Sequence, residues 1–231
     1  MTKEDMRAVY DRYIAKQMAC TVRDLYSEET VFIRDEARTE RYMKILSIGD
    51  TNIVTISPDL YQEASTALRG KIRDILYESE YIFGQTIHYV PDLKQMQPLP
   101  YPEGFTYELL VDDEIQKLVG IEGFDNSLAF DENGCTPTCF VLYARDQEKI
   151  VAVAGASYET EELREVGVDV KKEYRGRKLA AVLVRNLTVE ILKRGKIPFY
   201  SASVTNLASQ AVAVRAGYMP LWTDTFGTRG T

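Results

Sequence analysis

Residues Lys171 to Ala180 read Lys-Lys-Glu-Tyr-Arg-Gly-Arg-Lys-Leu-Ala, five basic side chains against a single Glu173, in a chain whose formal net charge is −7. They join an apolar run, Val166 to Val170, to a long helical pattern that begins near Lys178. The start of a helix turns unpaired N–H groups and a partial positive charge outward, so an anion is favoured there before any side chain contributes. The segment therefore reads as a phosphate-binding turn. Neither a Walker-type nor a dinucleotide-type glycine spacing surrounds Gly176.

Other chemistries find little support. Cys20, Cys135 and Cys139 form no paired set, and His88 is the only histidine. A structural zinc site needs about four thiolate or imidazole ligands, so no metal is expected. His88 lies in the alternating run Ile87 to Val90 and reads as a strand-face residue. The acidic balance argues against general nucleic-acid binding, which needs Lys and Arg spread over a broad face. No stretch is apolar for the roughly 18 residues of a membrane span, and Met1 to Arg7 is charged rather than signal-like, so a cytoplasmic protein is expected.

Alternate prolines at 98, 100 and 102, followed by Gly104, can neither continue a helix nor serve a central strand, and they set the expected domain boundary. Residues 1–100 are expected to form a small α/β domain. It would hold a helix over Lys3 to Ala19 capped by Thr2, strands Tyr42 to Ile48, Ile53 to Ile56 and Tyr81 to Val90, and a helix from Ser57-Pro58-Asp59 to about Tyr77. Residues 104–231 are expected to begin with a strand, Phe105 to Val111, and one or two short helices over Asp112 to Phe130. Strands Thr138 to Ala144, Ile150 to Tyr158 and Leu163 to Val170 follow on short polar links, which implies antiparallel pairing. A helix from Lys178 to Arg194 then places Leu179, Leu183, Leu187 and Ile191 on one face, with Arg185, Glu190 and Lys193 elsewhere. Strand Pro198 to Ser203, helix Leu207 to Ala216 and a last strand from Tyr218 complete an α/β pattern.

This order, with Asn206-Leu207-Ala208-Ser209 opening a short helix that ends at Arg215-Ala216-Gly217-Tyr218, resembles the GNAT superfamily of N-acetyltransferases over about Phe105 to Phe226. The resemblance implies an α/β (α+β) mixed-sheet acyltransferase fold carrying an additional N-terminal domain. It also implies acetyl-coenzyme A as co-substrate. The family's turn has the form Arg/Gln-x-x-Gly-x-Gly/Ala. Here Arg175 fills the first place and Ala180 the last, while Lys178 replaces the central glycine. Right-handed helical dihedrals would suit a lysine there, and its ammonium could meet a phosphate. By resemblance the cofactor-binding residues are Val168 and Val170, through their backbones, then Arg175, Gly176, Arg177, Lys178, Leu179 and Ala180 of the turn, with Asn206 and Ser209 along the pantetheine arm. Without the resemblance, Asn206 reads equally as a helix cap and Ser209 as a helix-surface residue.

The chemistry implied is direct attack of a primary amine, from a small molecule or a peptide, on the thioester. An alkyl amine with a pKa near 10.4 is mostly protonated at neutral pH, so a base must take its proton. Glu165 and Asp169 alternate with the valines of their strand and are the candidates, with Glu162 third; each also reads as a solvent-facing charge. The family's tyrosine acid, seven residues after the asparagine, is replaced by Ala213, which leaves Ser209, water or another tyrosine to act. The alternative is a non-catalytic acyl-coenzyme A-binding module.

Overall fold

The computed structural model describes residues 2–230, so Met1 of the charged N-terminus and Thr231 of the second expected domain lie outside the described residues. The chain divides into two compact units. The first holds the described residues up to His88, Ala202–Asn206 and the segment from Pro220 onward; the second holds Tyr89–Ser201 and Leu207–Met219. A single cut at residues 96–104 does not reproduce this division. Strand pairing crosses sequence distance: residues Trp222 to Asp224 pair with Leu46 to Ile48, which ties the end of the chain to its beginning.

In the first unit, helix α1 (Lys3–Gln17) begins at Thr2, whose hydroxyl accepts the Asp5 N–H while the Asp5 carboxylate accepts the Thr2 N–H. Strands β1 (Thr30–Arg34), β2 (Met43–Ile48) and β3 (Thr51–Ile56) form a sheet in which β3 lies between the other two, antiparallel to β2 and parallel to β1. Strand β1 has no counterpart in the sequence reading. It is short and only half-buried along its apolar part, which is what an edge strand needs and what weakens its pattern. The helix expected from Pro58 to Tyr77 is two helices, α2 (Pro58–Leu68) and α3 (Arg73–Tyr77). Gly70, at φ +74°, breaks it. Strand β4 (Ile82–Pro91) carries His88, whose Nε2 lies 3.0 Å from Asp224 Oδ1 while its ring stacks on Trp222. Burial acts to raise the Asp224 carboxyl, but the His88 and Lys44 contacts outweigh it and hold the group below its ordinary value.

The second unit is built on strands β5 (Thr106–Val111), β6 (Thr138–Asp146), β7 (Lys149–Tyr158), β8 (Leu163–Val170) and β9 (Ile197–Ser203), in spatial order β5-β6-β7-β8-β9. Neighbours among the first four are antiparallel, as the short links between β6, β7 and β8 imply, and β9 is parallel to β8. Helix α4 (Leu179–Lys193) connects that parallel pair and packs on β6, β7 and β8 with Leu179, Leu183, Leu187 and Ile191 fully buried. Helix α5 (Leu207–Arg215) and strand β10 (Tyr218–Thr228) end the chain.

Two residues of α4 hold the proline-rich segment. Asn186 donates to the Leu99 carbonyl (2.9 Å) and accepts its N–H (2.8 Å), using the one backbone donor between Pro98 and Pro100. Arg185, expected away from the leucine face, is buried and donates to the carbonyls of Gln95 and Ala216. Its cation thereby caps the negative end of α5.

The opposite face of the sheet carries an apolar cluster of Leu110, Ile115, Leu118, Phe124, Leu128, Val141, Tyr143 and Val153. Of the short helices expected over Asp112 to Phe130, only a 3-10 turn, Asp112–Leu118, forms. Gly120 and Gly123 take left-handed φ of +85° and +83°, which halts a helix at both places.

Candidate functional site

The β8–β9 ladder runs from Leu163↔Ile197 to Val166↔Tyr200 and stops, although β8 continues to Val170 and β9 to Ser203. Two parallel neighbours that part in mid-strand leave a slot for an extended chain to pair with strand edges. Val168 and Val170 lie on β8 beyond the last pair, still held by β7 through Ala154 and Ala152.

At the end of β8 the chain makes one 3-10 turn, Lys172–Tyr174, and reaches α4 through Arg175 to Lys178. Glu173, the only acid of the turn, pairs with Lys149 (3.0 Å), and its own backbone with that lysine holds its carboxyl low. Lys149 thus cancels the one charge that would oppose an anion. Arg175 Nε donates to the Val170 carbonyl (3.2 Å), fixing the turn to the strand. The Arg177 guanidinium lies 5.1 Å from the Tyr174 ring centroid, and Lys171 Nζ 5.3 Å from that of Phe124. Gly176 has φ +82°, and a side-chain carbon built on it meets nothing within 4 Å, so the space over it is open.

Lys178 corrects the sequence reading. It does not open the helix with right-handed dihedrals; it is the residue before it, at φ +65° and ψ 2°. It takes the left-handed conformation that glycine adopts freely, at a cost of about 1–2 kcal/mol for a residue with a Cβ. Leu179 and Ala180 begin α4 with their N–H groups ahead of the first helical bond, from Val182 N–H to the Lys178 carbonyl (3.2 Å). No side chain caps this end and no acid stands in its first turn, in contrast with α1 and its Thr2–Asp5 cap. A 15-residue helix whose positive end is left uncapped beside the five basic residues of the turn is arranged for an anion.

The three carboxylate candidates fall in different places. Glu162 is exposed at the closed end of the β8–β9 pair, where its carbonyl accepts the Ile197 N–H (2.9 Å). Glu165 stands next to the last paired residue, half-buried, and accepts a hydrogen bond from Ser201 Oγ. Asp169 lies beyond it on the same strand face. Its Oδ2 accepts from Asn126 N–H (3.0 Å), Ser127 N–H (2.9 Å) and Ser127 Oγ (2.9 Å), and its Oδ1 from Asn126 Nδ2 (2.7 Å).

Ser209, on α5, lies 2.7 Å from the hydroxyl of Tyr200, the last β9 residue paired with β8. Burial pushes the Tyr200 phenol up, against the opposing effect of Ser209, so it stays protonated. Ala213, one turn further along α5, is fully buried. Asn206 immediately precedes α5, in the segment assigned to the first unit, and its N–H donates to the Ser203 carbonyl (2.9 Å). Among the described residues no cluster of three or more His, Cys, Asp or Glu could hold a metal. Nor is any helix long and apolar enough to cross a membrane.

The sequence reading missed Tyr200, Ser201 and the Asn126–Ser127 turn. No local pattern marks them, because their partners lie 9, 36 and 42–43 residues away.

A family model described as GNAT acetyltransferase matches residues 107–221. Among solved structures the chain is similar to a GNAT-family protein from Novosphingobium aromaticivorans (20% identity, 62% of this chain and 63% of that one, TM-score 0.47). It is also similar to a GCN5-related N-acetyltransferase-like protein from Streptococcus suis (17%, 77% and 71%, TM-score 0.48) and a GCN5-related N-acetyltransferase from Kribbella flavida (18%, 79% and 70%, TM-score 0.47). The match therefore spans less than two thirds of the length of the first of these. No curated protein matches the sequence. The basic turn opening α4, the parted β8 and β9, and the family match over 107–221 lead to one assignment: the chain belongs to the GNAT superfamily of acetyltransferases.

Proposed function

We propose that the protein transfers an acetyl group from acetyl-coenzyme A to a primary amine. The observation that carries this reading is the coincidence of a ladder ending at Val166↔Tyr200 with an uncapped, cation-ringed helix start on the connection leaving the same strand. A diphosphate on an extended amide-bearing arm fits both features. Arg175, Arg177, Lys178 and the N–H groups of Leu179 and Ala180 would hold the diphosphate. Val168 and Val170 would pair with the arm through their backbones. When bound, acetyl-coenzyme A supplies an acyl thioester.

The protein's own groups then have defined tasks. Glu165, held by Ser201, takes the proton that the attacking amine must lose. A fixed N–H on β8 beyond Val166 lies along the site of the developing oxyanion. As the carbon–sulfur bond breaks, its electron pair goes to sulfur, and a thiolate with a pKa near 8.5 leaves readily. Ser209, hydrogen-bonded to Tyr200, offers a hydroxyl pair where the family has a tyrosine and this chain has the buried Ala213. Tyr200→Phe is expected to lower kcat about tenfold or more while leaving acetyl-coenzyme A affinity unchanged, as for loss of a group that assists proton transfer. An unchanged kcat would remove Tyr200 from the reaction.

The acceptor side is acidic. Residues 112–132 carry seven acidic side chains and one lysine, and part of this segment covers the sheet face that Glu165 shares with Asp169. Long-range attraction favours a cationic acceptor such as a polyamine or an amino sugar, and added salt screens it. The buried Ala213 also suits a second reading, a non-catalytic acyl-coenzyme A-binding module. Free-thiol release from acetyl-coenzyme A, measured against a panel of amines, separates the two. Acceptor-dependent release supports transfer, and saturable binding with no release for any amine supports the module.

A further inference from the structure

The turn Phe124–Leu128 is seated on the sheet with unusual closeness. A side-chain carbon built on Gly155 would stand 1.7 Å from the Ser127 carbonyl oxygen, and one on Gly167 would stand 2.0 Å from that of Asn126. The two glycines are register partners on β7 and β8. Together they form a gap in the side-chain layer that admits backbone and nothing larger. Glycine within a strand weakens it relative to alanine, so a facing pair is an unfavourable way to rest a loop on a sheet.

One strand position beyond that gap, Asp169 accepts the four bonds from Asn126 and Ser127. Both carboxylate oxygens are used, three of the bonds falling on Oδ2 and one on Oδ1, so the side chain is tied to the turn at two points. The turn is otherwise closed on itself by Ser127 and Leu128 N–H groups donating to the Phe124 carbonyl (3.0 and 2.8 Å). Phe124 and Leu128 are buried, whereas Asn126 is exposed. Side chains two apart on a strand share a face, about 6.5 Å from one another. Glu165, Gly167 and Asp169 therefore line one face in sequence, and the turn anchored at the last two stands next to Glu165.

We propose that Phe124–Leu128 is a fixed rim of the amine acceptor's pocket and that Asp169 is the positioning residue that holds it, with Gly155 and Gly167 as its seat. This rests on the acetyl-transfer reading above, and it gives Asp169 a task other than that of base. The rim sets how the amine meets Glu165. Its loss is felt in acceptor binding and alignment, while the diphosphate turn is untouched.

The test is steady-state kinetics on the full chain with an amine found active in the thiol-release panel, for wild type, Asp169→Asn, Gly167→Ala and Asn126→Ala. Each variant is first titrated with acetyl-coenzyme A to show that it is folded and binds. Asp169→Asn and Gly167→Ala are expected to share one signature. Acceptor KM rises by about tenfold or more, as for misplacement of a substrate by a fraction of an ångström to an ångström, acetyl-coenzyme A affinity holds, and the pH-rate profile keeps its wild-type shape. Asn126→Ala, which loses one exposed side-chain bond, is expected to show a smaller rise of the same kind and decides the matter if Gly167→Ala does not fold. Two results overturn the proposal: loss of the pH-dependent limb in Asp169→Asn, which makes it the base, or an acceptor KM unmoved in Gly167→Ala or, should that variant not fold, in Asn126→Ala. Wild type with no amine-dependent release sinks the acetyl-transfer reading instead.

Discussion

Arg175→Glu is expected to weaken acetyl-coenzyme A binding by at least ten- to a hundredfold. A hydrogen bond to a charged group contributes about 1.5–3 kcal/mol, and each 1.4 kcal/mol is a factor of ten. The substitution also turns an attraction into a repulsion at the mouth of α4. Arg175 is exposed, and its one structural bond, to the Val170 carbonyl, is at the surface. The fold should therefore survive, and calorimetric titration reads affinity alone. Lys178→Gly is the informative companion. It relieves a left-handed conformation costing about 1–2 kcal/mol and loses part of this to the greater freedom of glycine in the unfolded chain. A higher melting temperature with weaker binding would show that the lysine is kept for its ammonium despite the strain. Affinity unchanged in Arg175→Glu would remove the turn from the site.

Glu165→Gln is expected to lower kcat by about two to four orders of magnitude, the usual contribution of a positioned general base. The amide oxygen can still accept the bond from Ser201 Oγ, so the side chain keeps its place and acetyl-coenzyme A affinity should hold. What is lost is the ability to take a proton. In wild type the rate should rise with pH as more of the amine is neutral. The variant should show the same rise from a much lower rate. Full turnover across the pH range would exclude Glu165.

The two carboxylates of β8 show where a sequence stops being legible. Alternation along Leu163 to Val170 puts Glu165 and Asp169 on one face, and the structure agrees. What separates them is their surroundings. Glu165 meets one hydroxyl from β9, whereas Asp169 meets a turn more than forty residues earlier in the chain. Period and composition carry no information about such partners. The facing glycines, Gly155 and Gly167, are visible in the sequence, but their meaning depends on a strand register that only the folded sheet supplies.

The elements themselves were read most securely where local physics decides them. The Thr2 cap, the four-residue spacing of Leu179 to Ile191 and the antiparallel run from β6 to β8 each follow from short-range rules. Failures came where tertiary contacts or glycines override propensity. The residues after Leu118 spend backbone donors on Asp169 rather than on a helix, and the first compact unit recruits the last strand of the chain. Lys178 is a different kind of miss. Its charge was legible, but its left-handed backbone was not, because lysine gives no local reason to leave the right-handed region.

Titration of the wild-type protein with acetyl-coenzyme A, followed by calorimetry and by melting temperature, decides whether the turn opening α4 holds the diphosphate. Saturable binding to one site per chain is expected, with the melting temperature rising as ligand is added and with the same site lost in Arg175→Glu. A flat titration and an unmoved melting temperature would remove the turn from acyl-coenzyme A binding.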